Sequence, residues 1–232
     1  MDLRARLGNG MRIARNNRGF TLIEMAIVLI IIGIILGAVV KGKDLIRSGE
    51  QKKVYNKFIN AWRTSYLSFY DRTGKILGDT YNGSGAGQDG KADTGAGVSA
   101  DPTNAGRDDL IDGDSSTPPA YYGLDQVGLT PPTTNTDKAW KYKYTDSQGG
   151  NHEITIAFHY DTTGKYNFMS IGGAKGETAD LPNELAMALD TIIDGEADGA
   201  AGDFICYSPV CGRNTWGTDP VANVAAAWKM EF

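Results

Sequence analysis

One segment of the chain is too apolar to belong to an ordinary soluble fold. Residues 25–40 read MAIVLIIIGIILGAVV, without a polar side chain. Extended back to Phe20, the run has 21 residues. As an α-helix it spans about 31 Å at roughly 1.5 Å per residue, which matches a bilayer core of about 30 Å. A helix buried in a soluble core is the alternative, but an aliphatic surface around the whole circumference favours a membrane span.

The charges on either side of this segment predict its orientation. Residues 1–19 contain five arginines and one aspartate, a net charge of +4, so the other 213 residues carry −9 of the chain's total of −5. The positive-inside rule then keeps the N-terminus in the cytoplasm and places the acidic remainder outside. The apolar run ends Val-Val-Lys-Gly-Lys, without the small-residue pattern of a signal-peptidase site. We therefore expect the span to stay attached to the rest of the chain.

Glu24 is the one charged residue within the span. An unpaired carboxylate at mid-helix costs about 2.5–3.5 kcal/mol on insertion scales, so a functional role is the first hypothesis for it. Residues 18–24 read Arg-Gly-Phe-Thr-Leu-Ile-Glu, with a basic leader before them and an aliphatic run after them. Over roughly residues 12–45 the chain resembles the class III signal of type IV pilins and type II secretion pseudopilins.

This resemblance implies a processing site and an assembly site. A prepilin peptidase would cut between Gly19 and Phe20 and methylate the new amino group of Phe20. The subunit would polymerise through its N-terminal helix, with Glu24 as the assembly contact. The implied partners are identical or related pilin subunits, the peptidase and an inner-membrane assembly platform. The chain would be a single-pass inner-membrane protein before assembly and a periplasmic or extracellular filament afterwards. Many relatives have a helix-kinking proline where this chain has Lys41.

Beyond the span, apolar residues recur at helical spacing. They are Tyr55, Phe58, Ile59, Trp62, Tyr66, Phe69 and Tyr70. We predict one helix from Phe20 to Thr73, closed by Gly74. The expected organisation is then a leader to be removed (1–19), a membrane and filament-core helix (20–41), an amphipathic stalk helix (42–74), a Gly/Asp-rich loop with a connecting segment (75–137) and a head (138–232).

The head has strand patterns. Residues 140–144 and 153–160 alternate apolar and polar side chains around a Gly-Gly turn, and a Thr-Gly turn leads into 166–171, which predicts an antiparallel meander. Pro182 opens a helix that ends near Gly195, and residues 204–207 predict an edge strand. The predicted fold class is α+β, a long N-terminal helix packed against an antiparallel sheet, which is also the fold that the resemblance to pilins implies. We expect no packed element in residues 79–114.

Two cysteines, Cys206 and Cys211, flank a short loop containing Pro209. Outside the cytoplasm they can oxidise, so we predict a disulfide between them. Two buried thiols are the alternative.

A candidate calcium loop lies after the C-terminal helix. Asp194, Glu196 and Asp198 stand at positions 1, 3 and 5 of an EF-hand-like pattern, with Gly199 at position 6. Position 12 is Ile205 where an EF-hand has glutamate. A solvated acidic loop is therefore the alternative, and calcium is the one cofactor that the sequence brings into consideration.

The sequence lacks the fixed-spacing motifs that mark a nucleophilic serine, a catalytic zinc site or a nucleotide-binding loop. We therefore predict no enzymatic activity. His152 and His159 are seven apart on a predicted strand, so we expect them on opposite faces, at the surface or half-buried. The acidic balance predicts no binding of nucleic acid. The rival of a filament subunit is an uncleaved, single-pass membrane-anchored binding or enzyme head. Glu24 discriminates, because a simple anchor needs no buried carboxylate.

Overall fold

A computed structural model describes residues 19–79, 90–92, 105–113, 123–173, 177–207 and 215–232. The backbone divides into two compact units, with the boundary between Ile46 and Arg47. The boundary falls inside the first helix rather than at a change of secondary structure.

The long N-terminal helix consists of three consecutive pieces. They are α1 (Leu22–Val54), a π-helix (Tyr55–Ile59) and α2 (Asn60–Thr73). Gly74 ends α2 in the left-handed conformation, with φ of 67°, and its N–H donates to the carbonyl oxygen of Tyr70 at 2.7 Å. Glycine adopts this cap without a Cβ penalty. The helix begins two residues after the predicted start at Phe20 and ends where the sequence predicts.

The π-helix explains how the buried stripe stays aligned. In an α-helix of about 3.6 residues per turn, side chains four apart drift by roughly 40° around the axis. A π turn holds more residues, which cancels part of that drift. Val54, Phe58 and Trp62 are thereby all buried along one face.

The second unit contains the strands β1 (Lys141–Thr145), β2 (Asn151–Asp161), β3 (Tyr166–Ile171), β4 (Leu181–Pro182), β5 (Phe204–Cys206), β6 (Asn223–Val224) and β7 (Ala226–Lys229). Five of them form an antiparallel sheet in the order β1-β2-β3-β7-β5, and β4 and β6 form a separate antiparallel pair. The predicted meander and edge strand are confirmed. The sequence does not predict β7, which lies between β3 and β5.

The aromatic stripe of the helix packs on one face of this sheet. The rings of Phe58 and Tyr142 have centroids 5.3 Å apart, and those of Tyr66 and Phe158 are stacked at 5.0 Å. The indole N–H of Trp62 donates to the carbonyl oxygen of Ala139 at 2.9 Å, which satisfies its one polar atom inside the core. The predicted α+β fold is confirmed.

The connecting segment holds more structure than predicted. Residues Ala105–Asp112 form α3, where the sequence predicts a loop without a packed element. Leu110 is fully buried, and Arg107 pairs with Glu177 while its Nε donates to the carbonyl oxygen of Ile156 at 3.1 Å. These contacts dock a short polar helix whose composition alone predicts exposure. A 3₁₀ turn (Asp125–Val127) and α4 (Asn183–Ile193) complete the fold, and Pro182 caps α4.

Both histidines are buried, where the sequence predicts surface or half-buried positions. His152 is 7% exposed and His159 is 8% exposed. His159 packs against Phe168, with ring centroids 5.5 Å apart, and Phe168 belongs to a second, smaller apolar cluster with Ile205 and Ala227.

Candidate processing and assembly site

The Gly19–Phe20 junction lies before the first turn of α1. Both residues are outside regular secondary structure, and the side chain of Phe20 is 79% exposed. A Cβ added at Gly19 would meet no atom within 4 Å. Among the described residues, no packing contact therefore requires glycine at this position.

Glu24 has a local partner that sequence reasoning overlooked. Its carboxylate oxygen Oε2 accepts from the backbone N–H of Thr21 at 2.8 Å and from the Thr21 hydroxyl at 2.9 Å. In return the backbone N–H of Glu24 donates to the Thr21 hydroxyl at 3.2 Å. This is a capping box, in which a threonine at the N-cap and a glutamate three residues later satisfy the free donors of the first turn. The signal was available, because Thr-Leu-Ile-Glu precedes an apolar run.

The helix after this cap is uncovered. Every residue from 19 to 41 is exposed. The most apolar window of 18 residues has a mean hydropathy of 2.9 and none of it is buried, so the helix is long and apolar enough to cross a membrane. Such a surface is not stable in water, and it requires either lipid or other apolar helices around it.

Gly33 and Gly37 lie one turn apart on this surface. A Cβ at either position would meet nothing within 4 Å. Glycine weakens a helix by about 1 kcal/mol relative to alanine, and no contact among the described residues accounts for that cost. In membrane helices, small residues at this spacing allow a second helix to approach closely.

Cys206 ends β5 with a fully buried side chain and is not a free thiol. Its predicted partner, Cys211, lies outside the described residues. The pairing stays a prediction.

The structure does not gather the three proposed calcium ligands. Among the residues that the structure describes, no group of three or more His, Cys, Asp or Glu side chains could hold a metal ion. Asp194 instead accepts from the backbone N–H of Phe204 at 2.8 Å. Asp198 accepts from Ala200 and Ala201, and these two bonds lower the pKa of its carboxyl group. Glu196 is exposed. Calcium therefore stays a prediction, without a preformed cluster to support it.

A buried carboxylate lies beside this loop. Asp190 on α4 is fully buried, and its Oδ2 accepts from the backbone N–H of Gly199 at 2.9 Å and from the indole N–H of Trp216 at 2.6 Å. Burial raises the pKa of Asp190, and the negative charges of Asp194 and Asp198 raise it further. The sequence alone does not distinguish a buried aspartate on an amphipathic helix, such as Asp190, from one at the surface.

One comparison with known proteins gives a match, and it covers the N-terminal segment. Residues 14–40 match the family model described as the prokaryotic N-terminal methylation motif. No curated protein and no solved structure matches the chain significantly. The match includes the exposed Gly19–Phe20 junction, the capped Glu24 and most of the uncovered helix. Residues 14–40 of this chain are therefore the prepilin-type N-terminal motif of type IV pilins and pseudopilins.

Proposed function

We propose that the chain is a structural subunit of a type IV pilus or a secretion pseudopilus. A prepilin peptidase cuts it after Gly19, methylates Phe20, and leaves a subunit that polymerises through its N-terminal helix. An inner-membrane platform assembles it from the membrane into a periplasmic or extracellular filament. The observation that carries this proposal is the coincidence of the matched motif with a helix that is exposed and apolar around its whole circumference.

The uncovered helix supports polymerisation because it fits two environments equally well. Lipid surrounds an aliphatic helix at no cost before assembly, and aliphatic side chains of neighbouring helices can replace lipid in a filament core. When the helix moves from lipid into a filament core, little of its apolar surface becomes exposed to water. A soluble head with an ordinary anchor gains nothing from glycines at positions 33 and 37, whereas a packed bundle does.

Processing is tested by the intact mass of the chain isolated from its native host. We expect the mass of residues 20–232 plus one methyl group. A Gly19→Val variant provides the control. Its added side chain has free space, so we expect an intact head but an uncut chain. A wild-type protein that keeps Met1 to Gly19 would refute the proposal.

Glu24 is proposed to pair with the new amine of a neighbouring subunit. Cleavage creates a cation at Phe20 within the apolar region, where a charge needs a partner. Two unit charges about 4 Å apart attract by roughly 4 kcal/mol at an effective dielectric of about 20. That attraction offsets much of the insertion cost of the two charges, which is about 2.5–3.5 kcal/mol for each, and it favours one stagger between subunits.

The capping box requires a test that separates charge from capping. Glu24→Gln keeps a side chain suited to the capping box but loses the charge, whereas Thr21→Val removes the cap and keeps the charge. Glu24→Leu removes both. We expect Glu24→Gln and Glu24→Leu to reach the membrane normally and to be scarce in sheared filaments, while Thr21→Val assembles. If Glu24→Gln assembles and Thr21→Val does not, Glu24 is a helix cap and not an assembly contact.

An uncleaved membrane anchor is a second candidate, and the hydrogen bonds between Thr21 and Glu24 are the observation that favours it. Glu24 has a use within its own first turn, so its presence no longer speaks against a simple anchor. The mass measurement decides between the two candidates, since an anchor retains its leader. Absence of the chain from sheared filaments, together with a retained leader, would establish the anchor.

A further inference from the structure

His152 lies between two carboxylates that come from different parts of the chain. Its ring nitrogen Nδ1 is 2.9 Å from Oδ1 of Asp180, and Nε2 is 3.0 Å from Oδ2 of Asp146. Asp146 belongs to the turn between β1 and β2, and Asp180 directly precedes β4. The histidine sits near the start of β2 and is 7% exposed.

Two short contacts to carboxylates constrain the protonation state of this ring. An ionised carboxylate only accepts hydrogen bonds, and a neutral imidazole has one N–H to donate. Only the imidazolium form donates from both nitrogens at once. We propose that His152 is a pH-sensitive latch, which as an imidazolium ties the β1–β2 turn to the segment before β4 and which releases one of the two carboxylates when it loses its proton.

The electrostatic environment agrees with this geometry. Burial lowers the pKa of His152, but its hydrogen bonds to Asp146 and Asp180 outweigh burial and raise that pKa above its ordinary value. The same bond from His152 lowers the pKa of Asp146. The pair is therefore ionised together over a range of pH that lies between the two values.

The neighbouring charged and titratable groups are all engaged elsewhere. Glu153 on β2 pairs with Lys141 at 2.8 Å. Tyr144 on β1 lies opposite His152 in register, and burial raises its pKa to about 12, so it stays neutral. Glu184 on α4 faces Arg47 at 3.5 Å. The pKa of Glu153 is lowered by its hydrogen bond from Lys141 and that of Tyr144 is raised by burial, so both shifts move these groups further from neutral pH, near which histidine ordinarily titrates.

The latch is connected to the first residues of the second unit. Ser147, the neighbour of Asp146 in the turn, donates its backbone N–H to Glu184 Oε1 at 2.9 Å. Glu184 in turn contacts Arg47 through its carboxylate and receives the Gln51 amide at its carbonyl oxygen, 3.5 Å away. Release of Asp146 Oδ2 from His152 removes one anchor of the turn that holds Glu184, while Asp146 Oδ1 still accepts from the backbone N–H groups of Gln148 and Gly150. The pH outside the cell would thereby act on the contacts that hold Arg47 and Gln51.

Stability should follow the proton on His152. The folded chain binds this proton more tightly than the unfolded chain does, so the stabilisation is complete below the unfolded pKa of about 6.5 and declines as pH rises through the folded pKa. Asp146 acts in the opposite sense, and its contribution is lost in acid as pH falls through its lowered pKa.

The test is an NMR titration of both histidines in the full chain in detergent micelles, together with thermal unfolding from pH 5.5 to pH 9. We expect His152 to titrate above pH 6.5 with both ring nitrogens protonated below its pKa, and the melting temperature to fall across that titration. The pH-dependent fall should be absent in His152→Gln and retained in His159→Gln.

Asp180→Asn is the second variant, because its side chain is 37% exposed and its replacement preserves shape. We expect this change to shift the His152 pKa down towards about 6.5. A single neutral tautomer of His152 at pH 6 would overturn the proposal. So would a melting temperature with the same pH dependence in wild type and His152→Gln. Neither result depends on whether the chain forms filaments.

Discussion

The two halves of the long helix differ in what surrounds them. From residue 19 to 41 every side chain is exposed, and the aliphatic residues point in all directions. From Val54 to Phe69 the buried side chains follow one face, and that face lies on the sheet. Between Leu22 and Val40 the first half has no polar side chain apart from the capped Glu24, whereas the second half is polar on the face opposite its aromatic stripe.

This difference shows two ways in which a helix can be specified. A one-sided stripe specifies a single partner, and here the partner is in the same chain. An apolar surface without a stripe specifies an apolar environment on all sides, which one sheet cannot supply. The same helix therefore contributes to the fold of the second unit at one end and presents a surface suited to an apolar environment at the other. Substitutions in each half can test whether that division holds.

The largest effect is expected from removing a buried aromatic ring. Phe58 is fully buried against Tyr142, so Phe58→Ala should lower the free energy of unfolding by about 3–5 kcal/mol. Leu29, at 68% exposure, is the matched control, and Leu29→Ala should leave that free energy unchanged. Urea unfolding of the detergent-solubilised chain, followed by tryptophan fluorescence, measures both. Equal losses would show that the exposed segment also stabilises the second unit.

A smaller effect is expected at the buried carboxylate of Asp190. Asp190→Ala leaves the indole N–H of Trp216 and the backbone N–H of Gly199 without an acceptor, at a cost of about 1–3 kcal/mol. Asp190→Asn keeps an acceptor oxygen and should lose less. If both variants lose the same free energy of unfolding, these hydrogen bonds do not stabilise the loop.

The pH dependence of the same residue has a definite sign. Burial raises the folded pKa of Asp190, so the folded chain holds its proton more tightly than the unfolded chain. Its contribution to stability is therefore greatest below the ordinary pKa and declines as pH rises through the raised value. Asp190→Asn should remove that decline. Unfolding curves between pH 3 and pH 7 measure it.

The sequence predicts those parts of the fold in which one side-chain period dominates. The aromatic stripe and the alternating strands β1 to β3 have such a period, the unbroken apolar run is recognised by its length and composition instead, and all three are confirmed. The sequence does not predict β7 because Ala226, Ala227 and Trp228 show no alternation of apolar and polar side chains, and all three are buried. α3 was missed because contacts distant in sequence, such as that of Arg107 with Glu177, hold a polar segment in place.

The candidate site also has some features that local sequence predicts and others that only the fold creates. The cleavage junction and Glu24 come directly from local sequence, because a leader and a first helical turn are local features. The π-helix does not, since the apolar spacing from Tyr55 to Tyr70 is compatible with a regular α-helix. Likewise the bridge from His152 to Asp146 and Asp180 depends on the pairing of strands and on a distant loop. Only the fold brings those carboxylates together.

Substitution of Gly33 should impair incorporation into filaments without changing the stability of the fold. Gly33→Leu has free space and improves helix propensity by up to about 1 kcal/mol, so the monomer should fold normally. It should nevertheless be depleted from sheared filaments, because a large side chain prevents close approach of helices. Gly49→Leu, which also has free space but lies beyond the apolar run, is the control. Equal incorporation of both variants would exclude a packing role for Gly33.

The smallest effect is expected from calcium at the acidic loop. Asp194 and Asp198 each cap backbone N–H groups, so neither is held in place for a metal. Glu196 is exposed and is not grouped with them. We therefore expect millimolar calcium to leave the melting temperature of the full chain unchanged relative to magnesium at equal ionic strength. A ligand at one hundred times its Kd stabilises the folded state by about 2.7 kcal/mol, which such a measurement detects easily. A saturable rise with calcium that Glu196→Gln abolishes would establish the calcium loop, and it would show that the carboxylates leave their backbone partners to bind the ion.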